Sequence, residues 1–180
     1  MRVWEPPRRR PLLATLTGHT AAVLALAVGR VNKTDVIASA DADGVVRLWD
    51  ADRRRPMSVV LSGHVGAVLA VAIGRLNDRD VVVSGGADGT VRVWEAQTGR
   101  PLWEPFVGHN GSVMALAVGG VGDRNVIVSG GEDCTVRVWD PGDATAAVIQ
   151  DCYFPVRAAA MANAMVVFAS GRALCAVSLL

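Results

Sequence analysis

Short apolar runs separated by turn-forming residues make up most of the chain. Residues 23–28, 68–73 and 113–118 are apolar at every position and too short for a buried helix, so they predict strands covered on both faces. Each run is followed by a loop and by two β-branched segments around a Gly/Asp turn, as in residues 81–94, which predicts a β-hairpin. A fourth, less regular strand is predicted within residues 102–107. Each unit therefore predicts four antiparallel strands, a to d, and no helix.

This pattern recurs every 45 residues. Four residue types keep the interval: a histidine after glycine, a serine ending strand b, an aspartate in the b–c turn and a tryptophan ending strand c. They are His19, His64 and His109; Ser39, Ser84 and Ser129; Asp43, Asp88 and Asp133; and Trp49, Trp94 and Trp139, with Trp4 one interval earlier. A fixed period of this length indicates stacked units, none of which buries its apolar face alone.

Units of this length with Gly-His near the start and Trp-Asp at the end of the third strand resemble WD40 repeats. The resemblance implies an all-β fold, a β-propeller segment of about four four-stranded antiparallel blades. Strand a of each blade would line the central channel, and the last blade is degenerate. The predicted divisions of this single domain are a strand c remnant and strand d in 1–17, repeats in 18–62, 63–107 and 108–150, and the degenerate blade in 151–180.

Serine, histidine and aspartate recurring together are also the parts of a hydrolytic triad. Each serine ends an apolar strand, however, and the sequence has no G-x-S-x-G elbow. The resemblance implies instead that the histidine, aspartate, serine and tryptophan of one blade form a hydrogen-bonded set that ties the d–a loop to the b–c turn. Such a set would satisfy both nitrogens of a buried imidazole. These recurring residues are therefore predicted to be structural, and the chain is predicted not to be an enzyme.

Composition argues against several other classes of protein. The histidines lack metal-ligand spacing and no phosphate-binding or dinucleotide motif occurs, so no metal and no cofactor is predicted. A net charge of +1 argues against nucleic-acid binding, and no apolar run reaches the roughly 20 residues of a membrane span. Cys134, Cys152 and Cys175 follow no motif and are predicted to be thiols, which favours a cytoplasmic protein. Lys33 is the one lysine among 18 basic residues, which favours a GC-rich bacterial genome, and the repeats resemble those of actinobacterial type.

Two surfaces are candidates for binding a protein partner. The c–d loops at one end of the blades carry Arg53, Arg54 and Arg55, which suit either an acidic partner or a merely solvated loop face. The d–a loops and b–c turns at the opposite end form the usual binding face of the resembled family. Its candidate partner-binding positions are Thr20, Ala42, Val65, Ala87, Asn110 and Glu132. These side chains are mostly small, so they do not name a class of ligand.

The two ends of the chain depart from the repeat. The tryptophan and the Asp–His pair are absent after Asp140, and residues 2–5 form a strand c remnant that would compete with residues 174–179 for the strand d in 12–17. We therefore expect a partial propeller that is open, or closed by self-association or by pairing with missing blades, rather than a four-blade ring. The predicted function is a non-enzymatic protein-interaction scaffold. The alternative is a regulatory or sensing module of a larger signalling or defence enzyme.

Overall fold

Strands joined by short turns and loops account for the backbone that the computed structural model describes, which comprises residues 2–4, 12–141, 145–162 and 164–179. Side chains are described for residues 15–141, 150–162 and 164–179. These ranges contain 17 β-strands and no helix. Accordingly, none of the described residues belongs to a helix that could cross a membrane.

The strands form four antiparallel sheets, which we call blades 1 to 4, and one separate strand pair. Blade 1 holds β3 (Val23–Val31), β4 (Thr34–Asp41), β5 (Val45–Asp50) and β6 (Arg55–Ser62); blade 2 holds β7 (Val68–Leu76), β8 (Arg79–Gly86), β9 (Thr90–Glu95) and β10 (Phe106–Val107). Blade 3 holds β11 (Val113–Val121), β12 (Arg124–Gly131), β13 (Thr135–Asp140) and β14 (Thr145–Asp151); blade 4 holds β15 (Val156–Ala162), β16 (Met165–Ser170) and β17 (Ala173–Ser178). The separate pair joins β1 (Arg2–Trp4) to β2 (Leu12–Thr15). Glu5, the last residue of the predicted strand c remnant, lies outside the described residues.

This architecture confirms the predicted fold class, including a last blade that differs from the others. Strand a of each repeat is longer than predicted, because the chain stays extended until a two-residue turn joins it to strand b. Strand d of blade 2 is shorter than predicted and holds only Phe106 and Val107. Pro105 interrupts the predicted segment, and proline has no N–H to give to a ladder.

The hydrophobic core lies between the blades rather than inside any one of them. One cluster joins Val36 and Leu48 of blade 1 to Val82 and Trp94 of blade 2. A second cluster spans blades 2 and 3, and a third spans blades 3 and 4. A single blade would expose most of this surface, so the stack of blades is the smallest stable unit.

A repeated contact seats each blade on the one before it. The side chain of Ile73 on β7 lies directly over Gly29 on β3, where an added methyl carbon would come within 2.7 Å of Ile73 Cβ. In the same way Val118 lies over Gly74, and Met161 lies over Gly119. We call these three pairs the glycine contacts. Glycine at these positions lets the first strands of neighbouring blades approach closely.

The first blade departs from the prediction that every strand a is covered on both faces. Leu26 and Val28 of β3 are 54% and 74% exposed. In blade 2 the residue equivalent to Leu26 is Val71, and it is buried. Blade 1 packs against Val71, whereas no described residue covers the equivalent face of blade 1.

Candidate functional site

The recurring histidine, serine, aspartate and tryptophan meet at one end of blade 2. Trp94 Nε1 lies 2.8 Å from Ser84 Oγ, and Ser84 Oγ lies 2.8 Å from His64 Nε2. His64 Nδ1 lies 3.0 Å from the carboxylate of Asp88. The indole N–H donates to the serine, so the serine hydroxyl donates to Nε2 and the Nδ1–H donates to the carboxylate. Every polar atom of the set is thereby satisfied.

Blade 3 repeats the arrangement with its own residues. Trp139 donates to Ser129 over 2.7 Å, and Ser129 lies 2.7 Å from His109 Nε2. His109 Nδ1 lies 2.9 Å from Asp133. In both blades the aspartate also accepts bonds from the b–c turn, where the hydroxyl groups of Thr90 and Thr135 donate to it. The set therefore fixes the turn as well as the d–a loop that carries the histidine.

Blade 1 uses a different aspartate, and the prediction that Asp43 pairs with His19 is wrong. His19 Nδ1 lies 2.5 Å from Asp41 Oδ2, and its Nε2 lies 2.6 Å from Ser39 Oγ, which Trp49 bonds in turn. Asp43 is exposed and accepts a bond from the hydroxyl of Thr20.

The physical reason lies in the residue two places before the turn aspartate. Asp41 occupies the position held by Gly86 and Gly131 in the other blades. A methyl carbon added to Gly86 would come within 2.4 Å of His64 Nδ1, so a side chain at this position reaches the imidazole first. Blade 1 also has Val45 in place of the threonine that holds the aspartate in blades 2 and 3. The carboxylate of Asp41 accepts the backbone N–H groups of Asp43 and Val45 and so holds the turn itself.

The electrostatics of the sets follow from burial and hydrogen bonding. Burial lowers the pKa of His64 and of His109 below the usual histidine value, although the adjacent carboxylates oppose this effect. Burial alone would raise the pKa of Asp88 and Asp133, but backbone and side-chain hydrogen bonds outweigh it, and both pKa values lie below the usual range. The same balance lowers the pKa of Asp41, with His19 supplying a bond. At neutral pH His64 and His109 are thus neutral, and these aspartates are ionised.

These sets have the connectivity of a triad but are closed to substrates. Ser39, Ser84 and Ser129 are fully buried, and each hydroxyl oxygen already accepts an indole N–H. Nucleophilic attack requires an exposed serine with a space beside it for the reacting carbonyl. Within the described residues, no group of three or more His, Cys, Asp or Glu side chains is arranged to hold a metal ion. The arrangement supports the architecture of blades 1 to 3 and leaves none of these three serine hydroxyl groups free to attack a substrate.

A matched pair of substitutions tests the exchange of aspartates in blade 1. Asp88→Ala removes the acceptor for a buried imidazole N–H, which is expected to lower the free energy of unfolding by about 1–3 kcal/mol. Asp43→Ala changes the same repeat position in blade 1 but leaves His19 paired with Asp41, so we expect little change. Urea denaturation of both variants measures the difference. Equal losses in the two variants would contradict the arrangement in blade 1.

Stability is also expected to fall as the pH falls. The pKa values of His64 and His109 are lower in the folded chain than in the unfolded chain, so the unfolded chain binds protons first below about pH 6.5. The lowered pKa values of Asp41, Asp88 and Asp133 add a further loss below about pH 4. Urea midpoints measured from pH 8 to pH 2 should therefore decrease in two steps, and a midpoint that stays constant from pH 8 to pH 5 would exclude the histidine contribution.

The predicted partner-binding residues lie on one surface at this end of the blades. All six are exposed: Thr20, Ala42, Val65, Ala87, Asn110 and Glu132. We call this surface the turn face. Its loops and turns interlock, because a methyl carbon added to Gly44 in the turn of blade 1 would lie 2.7 Å from the Gly66 oxygen in the next d–a loop. The interlocking makes the turn face continuous from blade to blade, with Val65 as an exposed apolar side chain.

The arginine loops at the opposite end are partly neutralised. Arg53, Arg54 and Arg55 are exposed, but Arg53 Nη1 lies 2.9 Å from the carboxylate of Asp50. Arg75 and Arg124 likewise pair with aspartates at this end. Within the described residues the arginines are therefore interspersed with acidic partners, which weakens the case for an acidic protein docking here.

The residues missed from the sequence are Asp41, Thr90 and Thr135. The signal was present in the comparison of repeats, since the repeat with an aspartate in place of glycine also has valine in place of threonine. Two changes that occur together in one repeat indicate a rearranged contact. The 45-residue interval alone selects Asp43, because Asp43 stands one interval before Asp88.

Comparisons with known proteins agree with this geometry. Residues 10–50, 55–95 and 99–140 match the family model described as "WD domain, G-beta repeat". No curated protein matches the chain. Among solved structures, the crystal structure of the computationally designed Ika4 protein is similar, with 30% sequence identity and a TM-score of 0.70 over 91% of this chain and 95% of that chain.

Proposed function

Because the chain belongs to the WD40 repeat family, whose domains are generally non-catalytic scaffolds for protein–protein interactions, we propose that it is a protein-binding scaffold without catalytic activity of its own. The observation that carries the proposal is the orientation of the recurring sets. Their reactive atoms point inward and are saturated, while the loops that they hold are exposed. A fixed, exposed surface without a reactive group is suited to binding another protein.

The turn face is the proposed binding surface. Val65 is 78% exposed and stands between the turns that carry Ala42 and Ala87. Exposed apolar side chains on a rigid surface favour protein partners over small ligands, which require a concave site. The arginine end is less suited because Asp50, Asp80 and Asp140 pair with its arginines.

A cytoplasmic location and the absence of nucleic-acid binding are parts of the same proposal. Cys134, Cys152 and Cys175 are free thiols, as expected for a reducing compartment. The net charge of +1 provides little attraction for a phosphate backbone.

Binding should be tested with two sets of variants that change opposite ends of the blades. Proteins captured by the tagged wild-type chain are quantified by mass spectrometry and compared with those captured by Val65→Arg/Ala87→Arg and by Arg53→Ser/Arg54→Ser/Arg55→Ser. We expect the first variant to lose the specific partner and the second to retain it. Loss in the triple variant alone, with weaker binding at higher salt, would move the site to the arginine loops.

The absence of catalysis has its own test. Hydrolysis of a panel of activated esters by the wild-type chain is expected to equal that of Ser84→Ala/Ser129→Ala and of buffer. Turnover by the wild type that disappears in a folded serine variant would overturn the scaffold proposal.

A further inference from the structure

The two outermost blades present faces of opposite shape. The face of blade 1 that no described residue covers carries Val23, Leu26 and Val28 of β3, and we call it the leading face. The equivalent residues of blades 2, 3 and 4 dock on the preceding blade, as Ile73, Val118 and Met161 do in the glycine contacts. Val28 occupies the same repeat position as Ile73 and Val118. The leading face is therefore one half of a contact that the chain makes three times.

The last blade presents the other half. Ala158, Ala160 and Ala162 of β15 are exposed, and we call this surface the trailing face. The strand pairing makes Ala158 and Ala160 equivalent to Ala115 and Ala117, which blade 4 buries. In the contacts within the chain, bulkier side chains of the following blade pack against small side chains at these positions.

Blade 4 is incomplete at its outer edge as well. Among the described residues, β17 pairs with β16 and with no further strand, whereas a fourth strand completes each of the other blades. A groove of about 550 Å³ lies beside β17, lined in part by Phe168, Cys175 and Val177. Unpaired strand edges beside apolar grooves accept an added strand.

The missing strand has a counterpart at the other end of the chain. β6 and β10 are the fourth strands of blades 1 and 2. Each pairs with the third strand of its own blade and is followed in the chain by the first strand of the next blade. β2 precedes β3 in the same way, and β2 pairs with the three-residue β1 through an irregular register. β2 is therefore the candidate for a fourth strand beside β17 of another copy, where it would exchange its pairing with β1.

From these matches we infer that these 180 residues bind a second copy head to tail, with each leading face on the other copy's trailing face. The occupant is a second copy because the contact continues one that blades 1 to 4 already make. Two copies would contribute eight blades, which lies within the range of known propellers. Ala162 stands where Gly29, Gly74 and Gly119 stand in the other blades, so we expect its methyl group to crowd Val28 of the second copy and to weaken this contact relative to those within the chain.

Light scattering during size-exclusion chromatography tests the association. The mass is expected to rise with concentration from 18.8 kDa towards twice that value. Leu26→Arg on the leading face and Ala160→Arg on the trailing face should each raise the dissociation constant at least about tenfold, because each would bury an unpaired charge. Val107→Arg on the exposed outer strand β10 is the matched control and should leave the association unchanged. Circular dichroism verifies that each variant is folded.

Mixing the variants tests the head-to-tail geometry. In a pair formed by Leu26→Arg and Ala160→Arg copies, both substitutions fall in the same contact and the other contact is intact. Differently tagged copies of the two variants should therefore co-purify more than either variant does with itself, and the β17 amides of residues 173–177 should gain protection from hydrogen exchange.

Three results would overturn the inference. The first is a wild-type mass of 18.8 kDa at every concentration, which would mean that something other than a second copy covers these faces. The second is an association that neither substitution weakens. The third is an association that Leu26→Arg abolishes and Ala160→Arg leaves unchanged, since two leading faces would then be in contact.

Discussion

Trp139→Ala is expected to lower the free energy of unfolding by about 3–5 kcal/mol, the range for removing a buried tryptophan side chain. Trp139 is almost fully buried and donates to Ser129 over 2.7 Å. Its ring also stacks on Phe106 of blade 2, with the ring centroids 5.5 Å apart. The substitution therefore loosens blade 3 internally and separates it from blade 2. Since domains of this size are stable by about 5–15 kcal/mol, the variant should be close to unfolding at 37 °C.

Trp103→Ala is the matched control for this change. Trp103 also faces Phe106, at 6.5 Å between ring centroids, but it is partly exposed and no hydrogen bond to a recurring set involves it. We expect less than half the loss seen for Trp139→Ala. Urea denaturation followed by circular dichroism measures both, and similar losses would show that neither the deeper burial of Trp139 nor its contact between blades sets the effect.

Gly74→Val is expected to lower the free energy of unfolding by about 3 kcal/mol or more, because it adds three carbons to a filled space. A methyl carbon at Gly74 would lie 2.6 Å from Val118 Cγ1, and Val118 is β-branched and unable to turn away freely. The first strands of blades 2 and 3 would have to separate. A lower melting temperature and faster hydrogen exchange in β7 and β11 are the expected signs.

Gly120→Val separates this packing effect from the general effect of replacing glycine in a strand. Gly120 is exposed, and the nearest atom to an added methyl carbon is 3.7 Å away. Valine suits an exposed strand position, so we expect no loss of stability. A large loss at Gly120 would mean that the glycine contacts are not the cause of the loss at Gly74.

The sequence predicted the strands well because their signals are local. Apolar runs, hairpin turns and the 45-residue interval are each visible within one repeat, and they located most strands to within a few residues. The length of β10 was overestimated because Pro105 interrupts a segment whose apolar residues are still typical of a strand. The interval also identified the histidines, serines and tryptophans that the structure brings together.

The sequence pattern could not predict that Asp41, rather than Asp43, pairs with His19, because the choice depends on the distances of the two carboxylates from the imidazole. Both carboxylates lie in the same turn, and which one meets His19 depends on the space beneath the imidazole. The exposure of the leading face could be expected from an open arc of blades, but not from the residues of any single repeat. Leu26 and Val28 have the same apolar character as their counterparts in the other repeats, and only the position of the blade in the stack distinguishes them.

The glycine contacts have a consequence for how such a gene can change in length. Each contact joins the same repeat positions of two neighbouring blades, and the buried sets of blades 1 to 3 each lie within a single 45-residue block. An in-frame duplication or deletion of one block by recombination would therefore bring together surfaces that already match. The new protein would gain or lose a blade without needing any compensating substitution, so the number of blades can vary between descendants far faster than the structure of a blade.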